Sequence, residues 1–195
     1  MSTKIPDDIL KLLDAVEEEN KKRRTSLTQR VVEWNRLRSL LKFDSDQEVK
    51  LLSEEAHKFF HGKTLTDRLN ALADFEFVWI GTSAKYGACK YKDIEEMAKT
   101  EKDYQALFNW KESVYTIMIE NIVAELSEHC PGGEDDADWI ALLLERVLNI
   151  IVEVAEEKKV SRIRGRAGKI SEVEVTEPRI KMAFDDWIKE IEREG

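Results

Sequence analysis

Helix breakers are scarce in this chain, with three prolines and eight glycines in 195 residues. Proline removes a backbone donor and glycine raises the entropy lost on ordering, so their scarcity leaves long stretches open to helix. Cysteine is scarcer still. Cys89 and Cys130 stand alone, with no CxxC spacing, which excludes a disulfide scaffold and a zinc module and points to a reducing compartment. No uncharged apolar run approaches the roughly 20 residues of a membrane span, and no signal peptide is visible, so a soluble, cytoplasmic protein without membrane contact is expected. Positive charge is in deficit, with 31 Lys and Arg against 40 Asp and Glu and a net charge of −9. A phosphate backbone would be repelled overall, which argues against nucleic acid as a partner and leaves room for a local basic patch. The chain also lacks a GxxxxGK[ST] loop, a GxGxxG turn after a strand and a GxSxG elbow, and neither cysteine sits in a nucleophile setting.

What the chain has is apolar material at 42% and charge at 36%, enough for a real core in one domain of above-average size. Pro6, Asp7 and Asp8 suit a helix start, and Ile9, Leu12, Leu13 and Val16 give it one apolar stripe. A second helix is expected over about 28–42, with Val31, Trp34, Leu37, Leu40 and Leu41 on its apolar face.

Acids at unusual places mark the stretch 48–87. It reads as two helices, about 46–61 and 65–86, broken at His61-Gly62-Lys63, with Thr64 or Thr66 as the second N-cap and Gly87 as a candidate C-cap. Asp67, Asn70 and Asp74 fall at i, i+3 and i+7 and so share one stripe, which runs into the apolar segment ending at Gly81. Glu55 has Leu51, Leu52 and Phe59 as helical neighbours. Glu55 and Asp74 therefore face the inside of a helix pair, where an ionised carboxylate needs a partner or a metal. Both options stand: structural pairing with a Lys or Arg, or a metal site.

A long helix over about 102–129 follows a weakly periodic charged stretch, and Cys130-Pro131-Gly132-Gly133 ends it. The next helix, about 135–158, is apolar over most of its circumference and is expected at the centre of a bundle. Its polar stripe of Glu145, Asn149, Glu153 and Glu156 is either a solvent face or part of a polar site shared with Asp74. Residues 158–169 carry six Lys or Arg and two Gly, and suggest a hairpin-like segment near 160–175 with Glu172 to Val175 as a return strand. A last amphipathic helix is expected from Pro178.

Two chemistries fit these residues. His57 and His61, one turn apart with Glu54 a turn before, are either surface residues or ligands of a transition metal. Carboxylates on antiparallel helices suit Mg²⁺, which bridges to substrate phosphates, and the basic segment 158–169 offers countercharge.

In order along the chain, LLSEEAHKFF, ALADFEFVWIGTSAKYG and the later run NIIVEVAEEKKVSRIRGRAGKISEVEVTEPRI resemble the MazG-like all-α nucleoside triphosphate pyrophosphohydrolases, especially short phage-type members. The similarity covers roughly 28–89 and 140–182. It implies residues 1–27 as an added N-terminal helix and 28–195 as the MazG-like domain, with an insertion at about 90–139. The resemblance implies an all-α helical bundle, dimeric or larger, binding Mg²⁺ (or Mn²⁺) through helix carboxylates and cleaving a nucleotide into monophosphate and pyrophosphate. Glu54, Glu55 and Asp74 match the acidic positions, with Glu55 and Asp74 as principal metal ligands and Glu54 supporting them. Asn70, Lys58, Lys158, Lys159 and Lys169 are the substrate-contact candidates. Lys58 stands where the EExxE pattern has its third acid, Ala71 where ExxD has its partner, and Glu156 where the family has a helix-end Asn. The same fold acting as a catalytically degenerate binder of nucleotide or protein is the alternative.

Overall fold

A computed structural model describes residues 27–38, 40, 42–130, 136–163 and 172–194, and the side chains of 158–163, 172–175 and 194 lie outside that description. Among the described residues there are six helices and no strand: α1 (27–37), α2 (Ser45–His61), α3 (Leu65–Gly87), α4 (Ile94–Leu126), α5 (Asp136–Ile163) and α6 (Glu172–Glu194). The all-α expectation holds. The hairpin-like segment does not, because 158–163 continue α5 and Glu172 to Val175 already belong to α6. Pro178 lies inside that last helix and does not start it. The first expected helix, and Lys169 in the basic segment, lie outside the described residues.

The helix pair at the centre of the sequence pattern forms as its signals dictate. Asp44 caps α2, accepting from the Gln47 backbone N–H. At α3, Thr64 Oγ1 accepts from Asp67 N while Asp67 Oδ2 accepts from Thr64 N, a reciprocal capping box. Between them Gly62 leaves little room, since a Cβ there would lie 3.0 Å from Arg68 Cγ and 3.3 Å from the Lys58 carbonyl.

The hub is α3, which packs on α2, α4, α5 and α6. This corrects the expectation that the helix now called α5 is the central one. The reason lies in α3's first half, where Leu69, Ala71, Leu72, Ala73 and Phe75 are all buried, so it is apolar on several sides and small enough to admit neighbours. Around it gather Leu52 and Phe59 of α2, Met118 and Ile122 of α4, Leu143 and Val147 of α5, and Ile180 and Trp187 of α6. Trp187 is fully buried and its indole N–H donates to the Trp139 carbonyl at 2.7 Å, so its own donor is satisfied.

Helix α1 joins through a smaller cluster, Leu27 and Val31 against Val152, with Phe77 and Ile80 of α3 beside them. Arg30 fastens it. Its guanidinium donates to both Glu156 oxygens at 3.1 and 2.6 Å and to Asn149 Oδ1 at 3.0 Å. The polar stripe of α5 is thus neither a solvent face nor part of a site shared with Asp74, because α1 docks on it. Glu145 separates from that group and lines a different cavity, together with Glu76 and Tyr115.

The two ends of the α2–α3 hairpin are tied by ions. Glu48 is 1% exposed and accepts from Lys85 Nζ and Thr82 Oγ1, both at 2.7 Å, while Lys85 is itself only 6% exposed.

Candidate functional site

At the other end of the hairpin, the α2–α3 turn opens into a cavity of about 690 Å³, a size that suits a small-molecule ligand. Five helices contribute to it. The end of α2 and the turn bring His57, Lys58, His61, Gly62 and Lys63, and the first half of α3 brings Thr66, Asp67, Asn70, Ala71, Asp74 and Phe77. Trp34 comes from α1 and Arg38 from the turn just after it, Ile151, Val154 and Ala155 from α5, and Thr176 and Glu177 from α6.

The lining divides by chemistry. One wall is aromatic and apolar: Trp34 meets the ring of Phe77 edge-on at 5.1 Å and is fixed by its N–H donating to the Ala155 carbonyl at 3.1 Å. Arg38 lies over the Trp34 ring, its guanidinium carbon 3.9 Å from the centroid. The lining also holds Lys58, Lys63 and two stacked imidazoles, His57 and His61, with centroids 3.9 Å apart. His61 Nδ1 sits 2.9 Å from the His57 carbonyl, so in the neutral ring it is this nitrogen that bears the proton.

The carboxylates are placed less openly than the cations. Asp67 is occupied with the turn, accepting from the backbone N–H groups of Lys63 and Thr64 at 3.1 and 3.0 Å. Asp74 is half-buried and accepts from Asn70 Nδ2 at 3.3 Å. The Asn70 Oδ1 is buried and has no hydrogen-bond partner among the described residues, a position that calls for a water or a ligand donor.

Of the acids expected as metal ligands, Asp74 lines the cavity, and Glu54 and Glu55 do not. Glu55 does turn inward, with a side chain 13% exposed, but both its oxygens accept from Lys58 Nζ at 2.8 Å. Glu54 is exposed and does not line the cavity. Asp74, Asn70 and Lys58 do line it. Among the described residues no three His, Cys, Asp or Glu side chains gather closely enough to hold one ion. His57 and His61 meet, without a third strong ligand. A divalent ion at Glu55 would have to displace the Lys58 ammonium from both carboxylate oxygens. The side chains of Lys158 and Lys159 lie outside the description, as does Lys169.

Trp34, Arg38, Lys63 and Thr176 line the site without having been marked by sequence. Trp34 and Arg38 carried a usable signal, being one turn apart across the end of α1, but an aromatic at helical spacing reads first as core. Among the described residues no helix is long and apolar enough to cross a membrane. Comparison with protein-family profiles, curated proteins and solved structures finds no match to this chain.

Proposed function

We propose that the chain is a nucleotide-binding helical bundle whose ligand enters the cavity at the α2–α3 turn. The observation that carries the reading is the presence, in one cavity, of the aromatic side chains Trp34 and Phe77 together with Arg38, Lys58, Lys63 and two histidines. A planar base gains from apolar and aromatic surface, and phosphates gain from Lys, Arg and imidazolium donors. Trp34 and Phe77 are the candidate base wall, and Lys58, Lys63 and the histidine pair the candidate phosphate rim. Asn70, with an orphaned acceptor beside Asp74, suits a ligand hydroxyl or amino group.

Thermal unfolding with a panel of ribo- and deoxynucleoside mono-, di- and triphosphates tests this. A ligand at 100 times its Kd stabilises by about 2.7 kcal/mol, which for a domain of this size raises Tm by roughly 5–10 °C. No shift with any nucleotide would refute it.

Hydrolysis to the monophosphate and pyrophosphate, implied by the resemblance, is the second reading. What favours it is the position of Asp74 in the same cavity as the cations. Its test is pyrophosphate release from the same panel with Mg²⁺ or Mn²⁺. If no nucleotide is turned over and Asp74→Asn leaves nucleotide binding unchanged, that reading fails.

A further inference from the structure

Lys58 occupies an odd place, a cation at a position where the acidic pattern calls for a third carboxylate. We infer that Lys58 takes the place of a divalent ion in this cavity and holds the ligand's phosphates directly, so that binding needs no Mg²⁺. The inference rests on the nucleotide-binding reading and specifies how the phosphates are recognised.

The first support is the geometry of the ion pair. Lys58 lines the cavity and Glu55 does not. The lysine side chain is 57% exposed against 13% for the glutamate, and its ammonium contacts both carboxylate oxygens. A metal at Glu55 would have to displace that ammonium from both oxygens, against repulsion of like charge. A phosphate meets the same group with the opposite sign. A lysine ammonium has three donors on a flexible stem, so it can keep Glu55 as a partner and still donate to a phosphate on its exposed side.

The second support is the company Lys58 keeps. His57, His61 and Lys63 line the same cavity, as does Arg38 from the turn after α1. Asp67, Asp74 and Glu177 line it as well, Asp67 accepting from the backbone of the turn and Asp74 from Asn70. Lysine and arginine donors for a phosphate are thus supplied by the chain itself.

The test is calorimetric titration of the full chain with the nucleotide that gives the largest thermal shift, once in excess EDTA and once in MgCl₂. Binding in EDTA within a few-fold of that in Mg²⁺ is expected. Lys58→Met should weaken binding about 10- to 100-fold in both buffers, the loss of one charge-assisted contact, and Lys58→Arg should recover most of it. Lys58→Glu, which restores the acid of the pattern, should make binding depend on Mg²⁺. Circular dichroism confirms that each variant is folded, as an exposed position allows. Binding seen only with Mg²⁺, or Lys58→Met binding as wild type does, overturns the inference and leaves the nucleotide reading intact. Absence of binding in both buffers overturns both.

Discussion

Replacing Lys85 by methionine is expected to cost the fold about 3–5 kcal/mol. The figure follows from what the substitution leaves behind. Glu48 is 1% exposed, with Lys85 Nζ and Thr82 Oγ1 each 2.7 Å from its carboxylate. Methionine fills the lysine's volume but leaves a buried carboxylate with one hydroxyl for company, which does not compensate a charge. Replacing Glu48 by glutamine strands the ammonium and should cost nearly as much. Removing both charges is different. In Glu48→Leu/Lys85→Met no ion remains, and the Thr82 hydroxyl keeps the Val78 carbonyl at 3.0 Å as its acceptor. The double variant should therefore lie within about 1–2 kcal/mol of wild type; against single losses of about 3–5 kcal/mol each, with Glu48→Leu as the single variant that closes the cycle, the coupling energy between the two positions is at least about 4 kcal/mol. Urea unfolding followed by circular dichroism measures all variants, with an unchanged m-value confirming that the native and unfolded states stay comparable. A loss below about 1 kcal/mol in Lys85→Met, or additive single variants, would show that the pair is hydrated and would refute the reasoning.

Three further outcomes are expected. A methyl group at Gly81 would stand 2.8 Å from Asn35 Nδ2, on a buried side chain that donates to the Val31 carbonyl, so Gly81→Ala should cost about 1–3 kcal/mol by chemical denaturation, part of it recovered in Gly81→Ala/Asn35→Ala. A neutral Gly81→Ala would show that α1 and α3 are not in close contact there. Thr64→Ala removes half of the capping box of α3 and should lower stability by about 1 kcal/mol, with faster amide exchange confined to the first turn of α3; unchanged exchange there would refute the cap. Burial, and after it the Asp136 carboxylate, pushes the Cys130 thiol above its ordinary value. In a Cys89→Ser background it should alkylate more slowly at neutral pH than a free cysteine and faster in Asp136→Asn, and a rate matching free cysteine would contradict the burial.

The hairpin of α2 and α3 was readable almost to the residue because its signals are local. Asp44 and Thr64 cap from one turn away, Gly62 sits at the break, and the apolar stripes are sustained. The start of α4 was missed, since the helix expected from about residue 102 begins at Ile94, where the apolar periodicity is weak. Asp93 caps the Glu96 N–H while Glu96 accepts from Lys92 N, so the side chains carry a helix signal that the apolar pattern does not. The end of α5 and the start of α6 misled for the opposite reason, since two glycines and a proline invited a turn where helix continues on both flanks. The Glu48–Lys85 pair was out of reach. The residues are 37 positions apart, and an acid in the first turns of one helix with a base near the end of the next looks like ordinary complement to the helix dipoles. Only the packing of the hairpin turns those side chains inward on each other.

The inward carboxylates at Glu55 and Asp74 pose a sharper lesson about what a motif can carry. A buried acid demands a partner, and the demand alone does not choose between a metal and a neighbouring side chain. At Glu55 the choice falls to Lys58, three residues on, which needs no second helix to reach both oxygens. A partner available within the same turn is ordered as soon as the helix forms, whereas a metal cage needs several acids to converge from separate elements. At Asp74 a one-turn neighbour, Asn70, is present as well, but it donates only at 3.3 Å and leaves its own oxygen buried without a partner. The two acids so alike in the sequence therefore differ in the fold: Glu55 is held by a neighbour, and Asp74 sits beside an acceptor that a ligand can still satisfy. If so, Asn70→Ala should weaken nucleotide binding by roughly tenfold, about the value of one buried hydrogen bond, while changing stability little. Calorimetry on the folded variant decides it, and an affinity equal to wild type would place the ligand elsewhere.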